Sequence, residues 1–127
     1  MRWKVPIQQD ETMTNPVYSQ ASASIRACTE CIIACQTCAA ECLQEEMVGM
    51  MRECIRRCLD CVELCRLCIS YEIRGSALLD NVMALCAQAC ERCAEECGAH
   101  EDQHCQHCAK ACEQCAEICR ASEMPID

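Results

Sequence analysis

The stretch CTECIIACQTCAAEC, residues 28–42, sets a cysteine at alternating steps of three and four residues: Cys28, Cys31, Cys35, Cys38 and Cys42. Three further stretches keep the same alternation. They are Cys54, Cys58, Cys61, Cys65 and Cys68; then Cys86, Cys90, Cys93 and Cys97; then Cys105, Cys108, Cys112, Cys115 and Cys119. These four sets contain all 19 cysteines of the chain. A step that averages about 3.5 residues is the period of the inward seam of packed helices, a place usually filled by Leu and Ile. Here the seam is thiol.

Composition agrees with helices and narrows the function. At 127 residues the chain has the length of one domain. It has no Phe, one Trp and two Tyr, so the large aromatics that dominate most cores are nearly missing. Three Gly and three Pro suit long helices with short turns better than a loop-rich disulfide scaffold. The formal charge of −9 disfavours nucleic acid and anionic membranes as partners. No basic stripe with interleaved aromatics is present. Arg2 and Lys4 are followed by no apolar run of the secretory kind, and no stretch reaches the ~18 apolar residues of a membrane span. The expectation is a soluble, cytoplasmic protein, whose thiols stay reduced and are more suited to metal than to disulfides. The odd cysteine count also forbids complete intramolecular pairing.

The punctuation of the sequence predicts four helices. Residues 1–15 read as a tail or strap. Asn15 and Pro16 form a cap and first-turn pair that opens helix 1 over about 16–43. Its seam runs back through Ser24 and Ala21. Gln44, Glu45 and Glu46 make the turn to helix 2, about 47–73, whose seam runs back through Met51 and Met47. On its other faces Arg52, Arg56, Arg57 and Arg66 stand with Glu53 and Glu63 at ion-pair spacing. Gly75 ends that helix, and Ser76 is placed to cap helix 3, about 77–97. In helix 3, Met83 occupies the missing fifth rung. Gly98 stops it, and helix 4 follows over about 101–121. Residues 123–127, with Pro125, read as a C-terminal tail. Short turns favour an all-α, antiparallel, up-down-up-down four-helix bundle over residues 16–122, with a cysteine-lined core.

Such a topology gives the bundle two unlike ends. One gathers Met47, Met51, His100, His104 and His107; the other gathers Ile25, Tyr71, Ile73, Leu78, Leu79 and Met83. His104 stands one turn before Cys108 and is placed to lean toward the thiols at the polar end.

Free cysteine packs as a small hydrophobe, which explains one or two such positions but not a whole seam. Soft thiolate and thioether ligands select Cu(I), and suit Zn(II) and iron–sulfur clusters too. One monovalent ion per thiolate leaves a buried column near neutral, whereas divalent ions at high loading do not. Zn(II) favours closed groups of four ligands, and the ladders are continuous. The ferredoxin signature of a proline after the last cysteine is missing. So many equivalent sites suit storage and not catalysis, and no nucleophile–base pair stands out. A metallothionein-like buffer for Zn(II) is the alternative; an iron–sulfur electron carrier and a redox thiol module are weaker ones.

The ladders Cys28–Cys42, Cys54–Cys68, Cys86–Cys97 and Cys105–Cys119 resemble the bacterial copper storage proteins, over about residues 16–122. The Gly98-Ala99-His100 turn and the histidines after it belong to the same likeness. The likeness is to the cytosolic branch of that family. It implies a four-helix bundle that holds many Cu(I) ions on its cysteines. It also implies entry at one end and assembly into a homotetramer. The polar end read from the sequence supplies the candidates for that entrance: His104 first, then His100, His107, Met47 and Met51.

Overall fold

In the computed structural model, residues 22–123 are described. The expectations for the 1–15 tail, the Asn15–Pro16 helix start, Ala21 and the last residues with Pro125 lie outside them. The described chain forms α1 (Ala23–Cys42), a short 3-10 turn (Val48–Met51), α2 (Arg52–Arg74), α3 (Leu79–Gly98) and α4 (Gln103–Glu123).

Local chemistry sets each boundary. Ser22 is extended, and its hydroxyl accepts the backbone N–H of Ile25, so it caps α1. The helix over the first ladder therefore starts at Ala23, later than the expected 16, because a capping serine sits outside the helix it caps. α2 ends as expected at Gly75, whose φ of 66° is the left-handed cap conformation that favours glycine. The N–H of Ser76 then reaches back to the Tyr71 carbonyl at 2.9 Å and closes the last turn. Ser76 does not cap α3 directly. Its hydroxyl accepts from the Leu78 N–H at 3.0 Å within a turn, and the helix begins at Leu79.

The helices pack in a ring, α1 on α2, α2 on α3, α3 on α4 and α4 on α1. Sulfur pairs give their directions. Cys28 meets Cys115, Cys31 meets Cys112, Cys35 meets Cys108 and Cys38 meets Cys105, so α1 and α4 run oppositely. Cys54, Cys58 and Cys65 meet Cys97, Cys93 and Cys86 in the same opposed sense across α2 and α3.

Alanines explain how closely the helices approach. Ala34, Ala39, Ala87, Ala94, Ala109 and Ala116 are buried beside the cysteines. A seam of Cys flanked by Ala brings backbones together with little side-chain volume between them. The outer faces carry the ion pairs that their spacing predicts, such as Arg57–Glu53 at 3.1 Å and Arg66–Glu63 at 3.6 Å. They are exposed or half-exposed, and such pairs contribute only ~0–1 kcal/mol each. The fold thus rests on the seam.

Candidate metal centre

Every cysteine of the four ladders is buried, from 0% to 1% exposed, and all 19 are free thiols. They form a filled column and not a hollow tube. Diagonal sulfurs already touch across the axis: Cys31 and Cys90 at 3.8 Å, Cys58 and Cys108 at 3.7 Å, Cys65 and Cys115 at 3.9 Å.

The sulfurs fall into groups of four that lie within 4.8 Å of one another. Climbing from one end, Cys28, Cys68, Cys86 and Cys119 form a group with one sulfur from each helix. Next come Cys28, Cys65, Cys86 and Cys115, and then Cys31, Cys65, Cys90 and Cys115. Cys31, Cys35, Cys61 and Cys112 follow, and then Cys35, Cys58, Cys93 and Cys108. Successive groups share members: Cys28 and Cys86 belong to the first and second, Cys65 and Cys115 to the second and third. Shared sulfurs make bridging ligands.

Distances set the coordination these groups allow. With metal–sulfur bonds of ~2.3 Å, sulfurs stand ~4.6 Å apart around a linear ion, ~4.0 Å around a trigonal one and ~3.8 Å around a tetrahedral one. Sulfurs one turn apart, Cys31–Cys35, Cys38–Cys42 and Cys93–Cys97, are each 3.8 Å apart. The column therefore fits ions of three or four ligands as it stands. A linear ion between turn neighbours requires them to spread by somewhat under an ångström.

At the end where α1 turns toward α2 and α4 begins, His104 joins the column. His104 Nδ1 lies 3.4 Å from Cys38 Sγ and 3.6 Å from Cys105 Sγ, and its Nε2 lies 3.0 Å from Glu45 Oε2. Met51 is buried (5% exposed) directly behind Cys54 in the seam. Met47 is not: it is 63% exposed. The three-and-four rule holds only along a helix, and the chain reaches Met51 through a 3-10 turn that swings Met47 out. Met47 instead lines a groove of about 460 Å³ with Glu45, Glu46, Met50, Met51, His100 and Asp102. His100 Nε2 is paired with Glu96 Oε2 at 3.1 Å. His107 departs from the end cluster. It is exposed and lines the outer groove between α1 and α4 with Glu30, Ile33 and Lys110, one helical turn further along α4 from the end than His104.

Burial governs the thiols at this end. It pushes Cys42 up to about 11 and raises Cys105 as well. Both hold their protons at neutral pH. At the other end, the neighbouring Cys115 thiol hydrogen-bonds Cys119 and pulls it down to about 5.

That other end is less apolar than its sequence suggests. Met83 is buried, and Tyr71 and Leu79 pack on the core. Ile73 and Leu78 are exposed. Ser24, one turn beyond Cys28 in the seam, is buried (5% exposed) and donates to Glu72 Oε1 at 2.5 Å. Ser22 Oγ lies 2.9 Å from Ser24 Oγ. A small polar latch closes the column there.

Two site features escaped the sequence. The carboxylate of Glu45 sits in what reads as a plain turn, and its partner is 59 positions away. The Ser24–Glu72 pair spans 48 positions. Seam extension did reach Ser24, but nothing in the spacing pointed to Glu72.

Comparisons with known proteins give this geometry a context. Residues 17–124 match the copper storage protein family, Csp. The cysteine-rich protein YhjQ of Bacillus subtilis (strain 168) is 42% identical over 86 residues, 68% of this chain and 80% of that protein. The Cu(I)-bound copper storage protein BsCsp3 superposes with a TM-score of 0.78 at 41% identity, covering 80% of this chain and 96% of the other. A cytosolic copper storage protein from Streptomyces lividans, caught during loading with five coppers, gives 0.78 at 31% identity, over 82% and 92% of the two chains. With a sulfur column of this kind and a family match across most of its length, the chain belongs to the copper storage protein family.

Proposed function

We propose that this chain stores copper as Cu(I) on the cysteine thiolates of its core. It works as a reservoir and not as a catalyst, in the cytosol, as is said of the Streptomyces relative. The observation that carries it is the sharing of sulfurs between successive four-cysteine groups.

Sharing separates Cu(I) from Zn(II). A tetrahedral Zn(II) with four thiolates of its own carries two negative charges, and each such site would have to be buried beside the next. Groups that share Cys28, Cys65, Cys86 and Cys115 cannot all be closed independently. Bridging thiolates with monovalent ions keep the column near neutral up to about one ion per thiolate. The ligand set includes all 19 cysteines, from Cys28 to Cys119, with His104 at the entrance and Met51 behind it. His100 and Met47 stand in the entrance groove, where passing copper would meet them. His107 has the weakest claim.

The homotetramer that the likeness implies is part of the same proposal. Exposed Leu59 and Leu67 on α2 and Leu85 on α3 are apolar surface available for it, and light scattering on the apo protein checks it. Expression with added copper and oxygen-free purification tests the metal. Copper in large excess over zinc is expected. A protein that retains zinc, and that zinc keeps against Cu(I) under a shared chelator series, overturns the proposal.

A further inference from the structure

His104 has a partner on each ring nitrogen, and the two partners differ in kind. Nε2 faces the Glu45 carboxylate at 3.0 Å, while Nδ1 faces Cys38 Sγ at 3.4 Å and Cys105 Sγ at 3.6 Å. A neutral imidazole has one N–H and one lone pair, and a carboxylate can only accept. In the neutral ring, hydrogen on Nε2 donated to Glu45 is therefore the arrangement that serves both partners. The lone pair is left on Nδ1, aimed at the two thiols. Without Glu45, nothing at Nε2 prevents the ring from moving its hydrogen to Nδ1 and turning its lone pair toward the groove.

We propose that Glu45 is the positioning residue of the copper entrance: it fixes the Nε2–H form of His104 and so assembles Nδ1, Cys38 Sγ and Cys105 Sγ into one landing site for Cu(I). The proposal rests on the copper function given above. The three donors are 3.4, 3.6 and 3.8 Å apart. A three-coordinate ion with bonds of ~2.0 Å to nitrogen and ~2.3 Å to sulfur needs donors ~3.5–4.0 Å apart, so the triangle is close to its bound size. A soft ion takes such a nitrogen–sulfur set readily. Each thiol that becomes a ligand releases its proton to water.

The backbone gives Glu45 a fixed origin. Its N–H donates to the Cys42 carbonyl at 3.2 Å, and the Gln44 N–H donates to Glu41 at 3.0 Å, so the turn is tied to the end of α1. His104 lies in the first turn of α4. Partners of this kind hold a ligating histidine in its tautomer and orientation, and losing one typically costs ~10–100-fold in affinity or activity. Glu45 is 36% exposed in a surface turn, so its removal leaves the column intact.

The test uses the reduced full-length protein and Glu45→Ala, each with and without His104→Ala. Imidazole ¹⁵N spectra of the apo protein report the tautomer. Stopped-flow transfer from a Cu(I)–bicinchoninate complex reports the loading rate. The parent is expected to show a single Nε2–H form at His104, and Glu45→Ala a mixture, with loading slowed about ten-fold and the final capacity unchanged. In the His104→Ala background, Glu45→Ala should add nothing, since it acts through that ring. An unaltered tautomer in Glu45→Ala overturns the proposal, as does an unaltered rate, or an equal slowing in both backgrounds that marks simple attraction of the cation by charge. If the parent takes up no Cu(I), the copper function fails, while the ¹⁵N spectra still decide what Glu45 does to His104.

Discussion

The two ends of the sulfur column are built from the same seam and finished differently. At the end proposed as the entrance the seam passes from thiol to a buried thioether, Met51, and to the imidazole of His104, beside a groove walled by carboxylates. At the closed end it passes to Met83 and to Ser24, latched onto Glu72. Both ends contain a methionine and a side chain paired with a carboxylate. At the His104 end, in the tautomer proposed above, the carboxylate leaves a lone pair facing the sulfurs. At the other end it uses up the Ser24 hydroxyl, the buried polar side chain among the described residues. On the proposed function, copper enters where the last polar atom leaves a lone pair facing the sulfurs, and not where the end is least apolar.

Met83→Ala should sharpen that contrast most. It removes packing at the closed end and should cost about 2–5 kcal/mol of apo stability. Chemical denaturation reads that loss, and the loading rate per folded molecule should stay the same. A loading rate that changed with Met83 would make the closed end a second door. His104→Ala is expected to do the reverse: loading slows by roughly 10–100-fold, while capacity falls by no more than about one ion and apo stability barely moves. Equal rates for mutant and parent would erase the distinction between the ends. Ser24→Ala removes the latch and should cost about 1 kcal/mol, read as a lower denaturation midpoint without faster copper release. Faster release would show that the latch retains metal.

The smallest effect is in pH. Burial raises Cys42 from its ordinary 9.0 to about 11, so the folded apo protein holds that proton more tightly than the unfolded chain does. Its contribution to stability is fully present below 9.0 and is lost as pH rises through about 11. A midpoint that falls modestly across that window in the parent, and less in Cys42→Ser, is expected. A rising midpoint would contradict the sign.

Much of this was legible because cysteine marked the seam directly. Register within a helix is fixed by its period, so the burial of every rung, of Met51 and of Met83 followed from spacing. Where the chain leaves the helix, the period carries no information. Ser22 started the first helix later than the Asn15–Pro16 signal suggested, and the 3-10 turn carried Met47 to the surface. Both are local hydrogen-bonding choices that a seam pattern does not encode. Glu45 and Glu72 were hidden for a different reason. Each is an unremarked acid in its own segment and acquires a role only when the fold brings a partner from far along the chain.

The central claim is that the column is one continuous store and not a scaffold with an incidental metal site. Anaerobic titration of the reduced protein with Cu(I), against a competing chelator, tests it most directly. Continuous uptake is predicted, approaching on the order of one ion per thiolate, with a thermal midpoint that climbs as each increment binds the folded form. Saturation at one or two ions per chain, with the remaining thiols still open to a thiol reagent after unfolding, would contradict it.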